Sequence, residues 1–64
     1  MKDVIIKEGR KLEATKIVVQ RLGISDYILR GLIRQGAVSP PFKMGNKHYF
    51  DYRVVKAEFL AAVN

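Results

Sequence analysis

The chain has 64 residues, 48% of them hydrophobic, which supports one folded domain over residues 1–64 and leaves little room for a deep catalytic pocket. Twelve Lys and Arg residues against six Asp and Glu residues give a net charge of +6, which favours a polyanionic partner. The absence of Cys excludes disulfides, thiolate catalysis and most zinc-site patterns, so we expect a cytoplasmic protein. No apolar run has membrane-spanning or signal-peptide length, and we expect no membrane partner.

The N-terminal third predicts a strand region followed by a helix. Residues 4–13 hold a β-branched run and a Glu8-Gly9 turn, which indicates a short strand or hairpin. The role of residues 1–13 is not set by the sequence. The first helix is expected to start at Thr15, with the Thr15 hydroxyl capping the amides that follow. Gly23 should end this helix in a left-handed turn. Its apolar positions are Ile17, Val18, Val19 and Leu22.

A second helix is predicted from Ser25 to Gln35, with Ser25 as its N-cap and Gly36 as its stop. Two faces follow from helical spacing. The inward face is expected to carry Ile28, Leu29, Leu32 and Ile33, and the outward face Tyr27, Arg30, Gly31 and Arg34.

A β-hairpin is predicted over residues 43–49, since Gly45-Asn46 is a two-residue turn signal between alternating residues. Ser39-Pro40-Pro41 should be extended, because each proline restricts the residue before it. Asp51 should cap a third helix. The inward stripe of that helix is expected to be Tyr52, Val55, Phe59, Ala62 and Val63. The pattern predicts an α+β fold, a small winged helix-turn-helix with three helices, a hairpin wing and a short N-terminal strand.

The outward stripe of the second helix has two explanations. On a helix in a DNA major groove, Arg30 or Arg34 could bind guanine and Tyr27 could reach a phosphate or a thymine methyl. The same stripe could equally be the solvated face of an amphipathic helix. Gly31 favours the first explanation, because a mid-helix Gly costs about 1 kcal/mol against Ala. Close approach of a partner would explain it, as would chance or a tight contact within the fold.

Several other residues also have a functional and a structural explanation. Lys43, Lys47 and His48 could contact phosphates, or the hairpin could be a solubilising turn. His48 is the only His, so we expect no metal site and no cofactor. Ser25, Asp26, Asp51 and His48 could compose a nucleophile and base, but two of them are better explained as caps, so we expect no catalysis. Tyr49, Phe50 and Tyr52 could stack on single-stranded bases, although a role in the core is commoner.

From about Leu12 to Val63 the sequence resembles the excisionase-like branch of the MerR-type winged-helix superfamily, as found in phages and integrative elements. Five short segments carry the resemblance in order: Leu22-Gly23-Ile24-Ser25, Leu29-Arg30, Leu32-Ile33-Arg34-Gln35-Gly36, Phe42-Lys43-Met44-Gly45-Asn46-Lys47 and Val55…Phe59-Leu60. Two departures are Ile17-Val18-Val19 in place of Glu-Ala-Ala, and Gly31 in place of the second Arg of a pair.

The resemblance implies DNA-facing residues on two elements. On the recognition helix these are Ser25, Asp26, Tyr27, Arg30, Gly31 and Arg34, and on the wing Lys43, Asn46, Lys47 and His48. It also implies an accessory protein, an excisionase or recombination directionality factor, that bends double-stranded DNA and assists an integrase. A small transcriptional regulator of a mobile element is the alternative, and a protein-interaction module with an acidic partner is a further one.

The expected assembly is a monomer in solution that binds DNA cooperatively, through modest contacts such as the wing or the third helix. Full MerR-type regulators add a dimerising helix and an effector domain. Because this sequence stops at Asn64, we expect it to have neither of them. The DNA sequence, the spacing of repeated sites and the identity of a protein partner do not follow from the residues.

Overall fold

The computed structural model describes residues 3–63, which form an α+β fold of three helices and one four-stranded antiparallel sheet. The elements are β1 (Val4–Lys7), β2 (Arg10–Ala14), α1 (Thr15–Leu22), α2 (Asp26–Arg34), β3 (Phe42–Met44), β4 (Lys47–Phe50) and α3 (Tyr52–Val63). The α+β class predicted from the sequence is therefore confirmed. The expected N-terminal strand is a complete hairpin, β1–β2.

The sheet has the strand order β1-β2-β4-β3, so the two hairpins join through the central pair β2 and β4. That central pairing places Glu13 opposite Phe50 and Ala14 opposite Tyr49. The sheet is curled, as a contact between two strands that are not neighbours shows. Lys47 on β4 reaches Asp3 at the start of β1, with 3.3 Å between Nζ and Oδ1.

Side chains alternate between the two faces of a sheet, and each face here has its own core. The larger core lies between the sheet and the helices and contains Val18, Leu29, Val38, Phe50 and Val55. The smaller one lies inside the curl and contains Leu12, Ala14 and Tyr49, with Ile5 and Met44 packed against it. Both sheet faces are thus used, and among residues 3–63 eight hydrophobic side chains are less than a tenth exposed.

One sequence prediction about α1 and one about α3 are wrong. Thr15 is not the cap of α1, because the N-cap position is Ala14 and the Thr15 hydroxyl donates to the backbone carbonyl of His48 (3.4 Å). Strand β2 ends at Ala14 and α1 begins at Thr15, with no residue between them. The Thr15 hydroxyl bonds to β4 instead of capping α1, and it holds the start of α1 against that strand. The last turn of α3 is not inward: Ala62 and Val63 are exposed, since the small core ends before that turn.

Candidate nucleic-acid interface

Helix α2 is held in place by its cap and by one buried anchor. The Oγ of Ser25 accepts a hydrogen bond from the Ile28 backbone N–H (3.1 Å), as the sequence predicted. Leu29 is fully buried in the larger core. Because Leu29 and its half-buried neighbours Leu32 and Ile33 fix one side of the helix, the opposite side faces solvent.

The outward side of α2 carries the row that the sequence predicted, with Tyr27, Arg30, Gly31 and Arg34 at successive turns. Tyr27 is 82% exposed and the Arg30 side chain is 72% exposed. Arg34 is the last residue of the helix and is also exposed. The helical spacing predicts Ile28 on the inward face, and this is wrong: Ile28 is 48% exposed, because the first turn of α2 lies beyond the edge of the core.

Asp26 and Arg30 form an ion pair within this row. The Arg30 Nε lies 2.9 Å from the Asp26 Oδ2, one helical turn away. An exposed pair at this spacing contributes only about 0.3–0.5 kcal/mol. Asp26 therefore orients the Arg30 guanidinium but holds it weakly, so that another acceptor can replace the carboxylate.

Gly31 lies in the middle of the helix, and its surroundings decide between the explanations raised by the sequence. A Cβ added to Gly31 would meet no atom within 4 Å. The fold has room for a side chain at this position, so a tight internal contact is excluded as the reason for glycine. Close approach of a partner and chance are the two explanations that stand.

The β3–β4 hairpin turns at Gly45-Asn46, as predicted, and Asn46 is exposed at its tip. Lys43 lies directly opposite His48, so these two exposed side chains share one face of the hairpin. Lys47 lies on the other face, where it is half-buried and bonded to Asp3. The hairpin residues named from the sequence therefore divide between two faces, and only Lys43 and His48 face the same way as the helices.

Lys16 adds a cation that the sequence pattern does not indicate. It lies in the first turn of α1 and is exposed. A shallow concavity of about 300 Å³ brings Lys16 together with Arg30 of α2 and His48 of β4. The hydrogen bond from Thr15 to the His48 carbonyl holds the start of α1 against β4. Sequence spacing could not reveal this proximity, because it depends on which strand the helix begins beside.

Salt bridges divide the basic residues into paired and unpaired cations. Over residues 3–63, the cations in salt bridges are Arg10, Arg21, Arg30 and Lys47. The exposed cations outside salt bridges are Lys7, Lys11, Lys16, Arg34, Lys43, Arg53 and Lys56. Three of these, on α1, α2 and β3, are Lys16, Arg34 and Lys43. Together with Tyr27, Arg30 and His48 they compose what we call the α2–hairpin surface.

The remaining candidates have structural roles. Tyr49 and Phe50 are 6% and 3% exposed, which places them in the two cores rather than on a base-stacking surface. Tyr52 is half-buried under Arg21, whose guanidinium carbon lies 3.7 Å from the ring centre. Asp51 caps α3 as predicted, since its Oδ1 accepts from the Arg53 backbone N–H (3.1 Å).

Two further properties of residues 3–63 bear on possible ligands. No three or more His, Asp or Glu side chains in this range lie close enough to hold a metal ion. None of the described helices combines the length and apolar character that crossing a bilayer requires. Comparisons with protein-family models, with curated proteins and with solved structures found no match for the chain.

Proposed function

We propose that this protein is a winged helix-turn-helix domain that binds double-stranded DNA with α2 in the major groove. The observation that supports this most is the α2–hairpin surface, where exposed Arg and Tyr on a capped helix adjoin uncompensated cations on α1 and β3. An α-helix with its side chains is about 10–12 Å across. The B-DNA major groove, about 12 Å wide, therefore accepts α2.

Each residue of the surface has a distinct role in this proposal. Arg30 and Arg34 are placed to bind base edges, and Asp26 orients Arg30 until the base replaces it. Lys16, which lies near His48, and Lys43, which lies opposite His48, contact the phosphate backbone, as does His48 by donating a ring N–H. Tyr27, at the start of the helix, reaches a phosphate or a thymine methyl.

The biological role that we propose follows from the resemblance to excisionase-like proteins. In that role the protein bends DNA near an attachment site and assists an integrase, and it catalyses no reaction itself. A small transcriptional regulator would use the same contacts, because fold and DNA contacts do not fix the downstream process. A circular-permutation gel assay on the native site separates the two roles, since the accessory role requires bending.

The test of DNA binding is the salt dependence of a gel shift on random duplex. Neutralising about 4–6 phosphates per protomer predicts a log–log slope of roughly −4 to −5. Lys16→Ala and Lys43→Ala should each reduce the slope by about one. Arg53→Ala is the matched control, because Arg53 is an exposed cation that lines a different depression with Arg10.

The outcomes are distinct for the competing functions. If Arg53→Ala lowers affinity as much as Lys16→Ala does, binding follows net charge and the α2–hairpin surface is not the interface. If no duplex shifts at low salt, DNA is not the partner. Binding of the basic surface to an acidic protein would then be the better proposal.

A further inference from the structure

Strand β1 leaves one edge of the sheet open. The strand order ends at β1 on one side and at β3 on the other. The β3 edge follows Pro40-Pro41 and has Lys43 at its centre, features that discourage pairing with another strand. The β1 edge has no proline, and its one lysine, Lys7, lies at the end of the strand rather than at its centre. Its Val4 and Ile6 side chains are 40% and 71% exposed on one face.

The hydrogen-bonding phase of β1 follows from its hairpin. Lys7 and Arg10 flank the two-residue turn, so they exchange hydrogen bonds with each other. Bonded pairs alternate along an antiparallel ladder, and the Asp3 carbonyl accepts from the Ala14 N–H at 2.7 Å, in the same phase. The N–H and C=O groups of Val4 and Ile6 therefore point away from β2, towards the open edge.

We propose that two copies of the chain associate through β1, pairing antiparallel about a two-fold axis at Ile5. The outward N–H and C=O groups of the two copies can pair in three registers: Val4 with Val4, Val4 with Ile6, or Ile6 with Ile6. Only the Val4–Ile6 register places Asp3 opposite Lys7 of the second copy, and symmetry makes this contact twice. Opposite charges in directly facing positions stabilise a strand pair, and so this register is favoured.

The same register joins the exposed apolar side chains of the two strands. Val4 of one copy lies opposite Ile6 of the other, so two Val and two Ile side chains form one continuous patch. Asp3 already holds Lys47 within its own protomer, but a carboxylate accepts several hydrogen bonds and can hold both lysines.

The proposed interface is small, and its two-fold symmetry limits the assembly to a dimer. It comprises two bonded residue pairs, well below the extent of a stable interface of about 1,200–2,000 Å². We therefore expect a weak, reversible dimer that dissociates on dilution. Because the two-fold axis uses the same strand on both copies, association stops at two. This inference does not depend on the proposed function, since it concerns the free protein.

Sedimentation equilibrium of the free protein tests the association. We expect a concentration-dependent monomer–dimer equilibrium that Ile6→Lys weakens at least tenfold. Leu60→Lys is the matched control, because Leu60 is a 47% exposed aliphatic residue on α3, and it should leave the equilibrium unchanged. Circular dichroism confirms that both variants fold. A wild-type chain that stays monomeric at high concentration, grows beyond a dimer, or is affected equally by both variants would overturn the proposal.

Disulfide formation tests the register, because the natural chain contains no Cys. In the proposed pairing the Cα atoms of Val4 and Ile6 of the second copy lie about 5.5 Å apart, within disulfide reach. A mixture of Val4→Cys and Ile6→Cys chains should therefore cross-link several-fold faster than either variant alone. Faster linkage of Val4→Cys with itself, or equal rates in all three samples, would refute this register.

Discussion

Replacing Gly31 by Ala should raise stability and lower DNA affinity at the same time. In the free protein the new methyl group meets no atom within 4 Å, and Gly31 has a helical backbone whose carbonyl accepts from the Gln35 N–H (3.0 Å). The helix propensity difference is then unopposed, which gives a gain of about 0.8–1 kcal/mol in unfolding free energy. For a domain of this size that is roughly 4–8 °C in Tm.

Gly36→Ala is the matched control for the stability measurement. Its Cβ would also meet nothing within 4 Å, but Gly36 has φ +81°. An L-residue in that left-handed region costs about 1–2 kcal/mol. Thermal and urea unfolding should therefore shift in opposite directions for the two variants, although both add the same methyl group to open space.

The DNA-binding measurement uses the same Gly31→Ala protein. If α2 lies in the groove at Gly31, the methyl group enters a packed contact and should cost roughly 1–3 kcal/mol of binding free energy. A gel shift or anisotropy titration against the native site measures this. A variant that is more stable and binds equally well would show that Gly31 does not face DNA closely. A variant that is less stable would mean that α2 is not the exposed helix described above.

Four other substitutions have clear expected outcomes. Arg34→Ala should cost about 1–3 kcal/mol of binding and relax the preference at one base pair, whereas Lys43→Ala should weaken all duplexes about equally, as competition gel shifts would show. Ser25→Ala removes the α2 cap and should lower the unfolding free energy by about 1 kcal/mol in urea. Arg21→Met should cost about 1–3 kcal/mol, because Glu13, 4% exposed and bonded to Arg21 at 2.6 Å, loses its partner. A double-mutant cycle with Glu13→Gln should recover part of that loss, and additive effects would contradict the pairing.

The sequence alone determined the elements whose signals are local. Ser25 as a cap, Gly23 and Gly36 as helix stops and Gly45-Asn46 as a turn all appear where the residues predicted them. These features depend on contacts within a few positions along the chain, or on the backbone freedom of glycine. The periodicity of α2 likewise predicted that Leu29 is buried and that Arg30 and Arg34 are outward.

Only the tertiary structure decided which distant side chains lie together. Thr15 looked like a cap, but the packing of α1 against β4 directs its hydroxyl to His48, and the same packing brings Lys16 beside Arg30. Lys47 was grouped with Lys43 by sequence proximity, yet the alternation of β4 and the curl of the sheet direct it to Asp3. These outcomes depend on strand order and sheet curvature. Both arise from contacts such as Thr15–His48 and Asp3–Lys47, which are 33 and 44 positions apart and leave no periodic signal in the chain.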